Sequence, residues 1–168
     1  MRTNGSVYVS VVLALLVGYF SYQWWFNPRR AIKRQLGELA ATLSVPSDSP
    51  GDIDRLARVA RLRNYFAPDV HITMGRSGPS ITSRDALIGA IGAWNPPAGG
   101  WRVTFVDVQI TMDSDSTASA YMTVEIDGRD PRTGQPSFDA REVAVRLAEQ
   151  NEAWVVTMAE PTETLQRP

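Results

Sequence analysis

The only histidine of the chain, His71, lies in the stretch YFAPDVHITMG, two positions after Asp69. An imidazole changes charge near neutral pH, and residues two apart on an extended segment share a face. His71 and Asp69 therefore have the types and spacing for a general base and its orienting carboxylate. The same alternation sets His71 opposite Val70, Ile72 and Met74. If those three point into a core, His71 faces outward as a surface or hydrogen-bonded structural residue, and that is the reading preferred here.

Other chemistries have less to work with. One histidine and no cysteine cannot build a conventional zinc site. Asp113 and Asp115 lack the glycine and glutamate that a calcium loop needs, and DSDST reads more simply as a hairpin turn. No phosphate-cradling glycine loop or nucleophile elbow occurs. No metal and no cofactor are expected.

The elements that would position these residues follow from 168 residues, enough for one domain and an appendage. From Val7 to Phe26 the run VYVSVVLALLVGYFSYQWWF carries no charge. As a helix it would cross a hydrocarbon core of roughly 30 Å. Val7, Leu13, Leu15 and Leu16 would face lipid, with Tyr22, Trp24, Trp25 and Phe26 as an interfacial belt. A buried core helix is the alternative. Arg29, Arg30, Lys33 and Arg34 follow, suited to anionic headgroups or a partner. By the positive-inside bias the rest of the chain lies in the cytoplasm, at an inner membrane, with the periplasm as the alternative. A formal net charge of −1 gives no global case for nucleic acid. The organisation expected is a single-pass anchor over residues 1–28, a domain over 29–160 and a tail over 161–168.

Within the domain, Ile32, Leu36, Leu39 and Leu43 recur at helical spacing after Pro28. A second helix is expected from Asp52 to Phe66, closed by Pro68, with Ile53, Leu56, Val59 and Ala60 inward. On it Arg55, Arg58 and Arg61 read as a solvated face. Val70 to Met74 reads as a short strand, and Ser83 caps a third helix. From Trp101 the period becomes two: Trp101, Val103 and Phe105 share one parity and Val106, Val108, Ile110 and Met112 the other, a switch that predicts a bulge or bend. An antiparallel meander follows, giving an α+β pattern of about three helices on a curved, mostly antiparallel sheet.

NYFAPDVHITMGRSGPSITSRDALIGAIGAW resembles the matching segment of nuclear transport factor 2-like proteins, which include ketosteroid isomerase, polyketide cyclases and scytalone dehydratase. Phe66, Ala67, Asp69, Val70, Gly78, Pro79, Ser83 and Ala86 carry the likeness, which spans roughly Arg30 to Met158. It implies a cone-shaped domain. In isomerase-like members the general base would fall on Met74 and a late-strand acid on Val143, with Glu142 facing outward. Neither Met74 nor Val143 can handle a proton.

These readings combine into an expectation of a non-catalytic accessory or stabilising subunit, anchored by one span in a bacterial membrane complex, photosynthetic or respiratory ones among the candidates. Its partners would be the bilayer and other integral membrane subunits. Trp94, Trp101, Tyr121 and Trp154 are candidate contact anchors. Two alternatives stand beside it. One is a small-molecule or lipid module with Met74, Met112, Met122, Val143 and Met158 lining the cone. The other is a cyclase, isomerase or dehydratase acting through His71 and Asp69.

Overall fold

Helix α1 (Pro28–Leu43) starts where the sequence supplies both a cap and a proline. Asn27 Oδ1 accepts the Arg29 amide at 3.1 Å, and Pro28 sits in the first turn. It buries Ile32, Leu36, Leu39 and Ala40, largely against strand β3. The computed structural model describes residues 12–16, 27–47, 51–75, 78–93, 99–130 and 132–162.

Of the expected membrane span, only residues 12–16 are described, as exposed helix; Val7, Tyr22, Trp24, Trp25 and Phe26 lie outside the described residues. Among the described residues no helix is long and apolar enough to cross a membrane. Arg29, Arg30, Lys33 and Arg34 are exposed on α1.

Helix α2 (Gly51–Leu62) passes through a 3-10 turn into β1 (Phe66–Thr73). The expected helix end at Phe66 is thus four residues late, because strand pairing to β6 begins at Phe66 and overrides the helical periodicity. Pro68 lies inside β1. Met74 falls beyond it and is exposed. After β2 (Ser80–Ile81), helix α3 (Arg84–Ala93) begins with Ser83 Oγ accepting the Ala86 amide at 3.2 Å, the cap read from sequence. Strands β3 (Trp101–Met112), β4 (Thr117–Arg129), β5 (Pro136–Gln150) and β6 (Ala153–Pro161) form the meander. Asn151 and Glu152, both at positive φ, make its last two-residue turn.

The six strands lie in the order β2-β1-β6-β5-β4-β3, antiparallel except for the β1–β6 pair. Ala118, Ala120, Met122, Val145, Leu147 and Val156 fill the inner face with Val70 and Phe66. A bulge is present but falls after Val106, which therefore does not share a face with Val108, Ile110 and Met112 as expected. Asp107 and Val108 together oppose Met122, with Asp107 at φ 53°. Val103 and Phe105 before it and Val108, Ile110 and Met112 after it therefore all reach the core side, whereas Val106 pairs with Thr123 on the outer side.

The start of β3 is stitched to the end of α1. Val45 and Trp101 exchange both backbone hydrogen bonds at 2.8 and 2.9 Å, and Trp101 Nε1 donates to the Leu43 carbonyl at 2.7 Å. Gly100 permits this approach: its φ is +68°, and a Cβ there would stand 2.1 Å from the Val45 oxygen. The fold is thus α+β, a six-stranded curved sheet with helices on its inner face.

Candidate functional site

Helix α1 lies on β3 and α3 lies on β1, while α2 packs chiefly on α1 and α3. A helix held by its neighbours and not pressed onto the sheet leaves space beneath it. That space is a cavity of about 220 Å³. Val103 and Trp101 of β3 and Val124 and Ile126 of β4 form its floor; Thr42, Leu43 and Val45 close the α1 side, Ile91 the α3 side. Its roof is Arg55, Arg58, Val59 and Leu62 of α2. An apolar cavity of roughly 150 Å³ already accepts a benzene ring, so this one has room for a compact ligand.

The orientation of α2 keeps Val59 inward as expected but overturns the expectation for Ile53, Leu56 and Ala60. Leu62 is buried and Val59, Arg55 and Arg58 are half-buried, while Ile53 and Leu56 are 83% and 64% exposed. Positions 55, 58, 59 and 62 share one helical stripe, and 53, 56 and 60 share another. The first stripe faces the cavity. Arg61 remains exposed, as read.

Polar groups around the cavity are few. Arg55 pairs with Asp52 at 3.5 Å. The Thr42 hydroxyl donates to the Glu38 carbonyl at 2.8 Å and lies 3.4 Å from the Tyr65 hydroxyl. On the same sheet face, one strand beyond the floor, Arg141 stands opposite Val124 and Asp139 opposite Ile126, and the two pair at 3.0 Å. Both side chains are exposed, Arg141 at 72% and Asp139 at 53%, and neither lines the cavity. The sequence analysis singled out neither Asp139 nor Arg141, which continue the inward parity of Val143 and Val145.

The residues singled out from sequence lie elsewhere. His71 pairs in register with Met158, itself opposite Arg146, on the face away from Ile72 and Ala159. It is half-buried there, and Asp69 is exposed. Met122 is packed in the core at 1% exposure, with Met112 and Val143 against that core. Met74 is exposed at 58%. Met158 sits half-buried beside His71. None of these lines the cavity. Trp101 does line it, Trp154 is core, and Trp94 lies outside the described residues. Among the described residues no cluster of histidine, aspartate and glutamate could hold a metal ion.

On the outer face, the Tyr121 hydroxyl donates to Glu142 Oε2 at 2.6 Å. That hydrogen bond, helped by desolvation and the carboxylate charge, raises the phenol above its ordinary range. Glu142 faces outward, as read.

No protein-family model matches the chain, and no curated protein matches it. Solved structures do. A candidate scytalone dehydratase from Novosphingobium aromaticivorans superposes with a TM-score of 0.64 at 16% identity, over 82% of this chain and 85% of that one. A Caulobacter vibrioides protein with a cystatin-like fold gives 0.59 at 14%, over 80% and 87%. A Catenulispora acidiphila chain in complex with S-DNPA gives 0.60 at 11%, over 80% and 92%. At these identities the likeness shows the fold alone. It also corrects the expectation of a non-catalytic chain. That expectation rested on Met74 and Val143 standing where two acids were sought, yet chains of this same fold include one described as a dehydratase and one holding a ligand.

Proposed function

We propose that the cone is a small-molecule site at which the chain carries out a dehydratase- or cyclase-type reaction on a compact, mainly apolar ligand. The cavity beneath α2 carries this reading: an apolar floor of Val103, Val124 and Ile126 under a roof of Arg55, Arg58, Val59 and Leu62. Such a site can hold a flexible ligand in a reactive fold. The proton acceptor in this scheme is Asp139, exposed on the neighbouring strand opposite Ile126 and paired with Arg141. His71 has no part in this scheme, since it stands on the other face of β1.

The test uses 6-fluoro-2-methylnaphthalene, followed by its fluorine resonance on the full-length chain in lipid nanodiscs. Saturable binding to the wild type that disappears in Val124→Trp, which fills the floor, is the expected result. Equal signals from both proteins would sink the reading.

The finer picture includes a tether. Residues 7–26, as a membrane span, would hold the cone at a bilayer, where apolar ligands concentrate. A chain released from membranes by alkaline carbonate would refute the span without touching the cavity.

A further inference from the structure

We infer that the ligand of this cavity is an uncharged, apolar alcohol or phenol whose hydroxyl donates to the side-chain oxygen of Thr42. The inference rests on the proposed small-molecule site and names its substrate class. Nine of the twelve lining residues are apolar, and Thr42 carries the only hydroxyl among them. Arg55 pairs with Asp52, and Arg58 has an interaction of its own within the chain, so neither offers an unpaired charge to a ligand. A charged ligand would therefore shed its water against hydrocarbon with no free counter-charge in the lining. The Trp101 indole donates to the Leu43 carbonyl at 2.7 Å and is likewise spent.

Thr42 is left as the polar handle, and its chemistry has a direction. Its hydroxyl hydrogen goes to the Glu38 carbonyl one helical turn back, at 2.8 Å. A hydroxyl oxygen has two lone pairs besides its hydrogen, so Thr42 keeps acceptor capacity. The Tyr65 hydroxyl, 3.4 Å away, is farther than a strong O–H···O bond and leaves that capacity open. The group that suits Thr42 is thus a donor. A ligand carbonyl or ether would set oxygen against oxygen, and a sugar would bring hydroxyls for which Val103, Val124 and Ile126 hold no partner. A single hydroxyl on a compact apolar body meets both demands, and a hydroxyl is also the group that a dehydration removes.

Three fluorinated probes of one shape decide it: 6-fluoro-2-naphthol, 6-fluoro-2-methylnaphthalene and 6-fluoro-2-naphthoate. Each is titrated at pH 7 into the full-length chain in lipid nanodiscs, with Val124→Trp subtracted as the cavity-filled reference. The naphthoate should bind at least about tenfold more weakly than the naphthol. The ratio of naphthol to methylnaphthalene affinity should fall about fivefold in Thr42→Val, which keeps the shape and removes the acceptor, and should survive in Thr42→Ser. Methylnaphthalene binding retained by Thr42→Val would show that the cavity is intact in that variant. A ratio unchanged by Thr42→Val, or a naphthoate that binds as tightly as the naphthol, would overturn the inference and leave the cavity reading standing. If no probe distinguishes wild type from Val124→Trp, both readings fall together.

Discussion

Helices α1 and α2 are neighbours of similar composition that treat their apolar residues in opposite ways. α1 sinks Ile32, Leu36 and Leu39 to between 0% and 5% exposure. α2 leaves Ile53 and Leu56 in solvent and turns Arg55 and Arg58 inward. Burying an isoleucine or a leucine is worth about 1.5 to 3 kcal/mol each, and α2 draws that gain from Leu62 and Val59 while Ile53 and Leu56 contribute little of it. The contrast teaches that α1 is oriented by the sheet it lies on and α2 by the helices beside it.

The largest expected effect lies on α1. Leu36→Ala should cost about 2 to 5 kcal/mol, because it empties space in a close-packed core. Chemical denaturation would measure it, and a loss under 1 kcal/mol would break the contrast. On α2, Ile53→Gln and Leu56→Gln should each fall within about 0.5 kcal/mol of wild type, since neither side chain loses much contact. A loss comparable to Leu36→Ala would mean that a surface absent here covers that stripe.

A smaller effect sharpens the same contrast between faces, now across the sheet. Tyr121 is raised above the ordinary value of 10.0 by its bond to Glu142. A phenol harder to ionise in the folded state contributes stability that is complete below pH 10 and is lost as pH rises through the raised value. Ultraviolet titration of Glu142→Gln should return this phenol towards 10. An unchanged titration would show that Glu142 does not set it.

Much of this architecture could be read from residues. The Pro28 start, the Ser83 cap, the α1 stripe and the parity switch near Phe105 are local signals, and each appears in the structure. The site was less legible. α2 carries two stripes of comparable apolar content, and only contact with α1 and α3 decides which one turns inward. Asp139 and Arg141 were hidden for a related reason: a charged pair on the inward parity of β5 acquires meaning only once Val124 and Ile126 are known to be its neighbours. The enzyme question was misjudged by looking for acids only at the positions that the resemblance implied, Met74 and Val143, while chains of this fold include one described as a dehydratase.

The extra residue in β3 is a half-step dislocation in an otherwise regular lattice. It lets the strand present Val103 and Ile110 to the same side although they are seven positions apart. Excising Asp107 would heal the dislocation and throw every residue from Trp101 to Val106 out of phase. Arg102 and Thr104 would then replace Val103 beneath the roof, so a single backbone kink far from any reacting group keeps the floor oily.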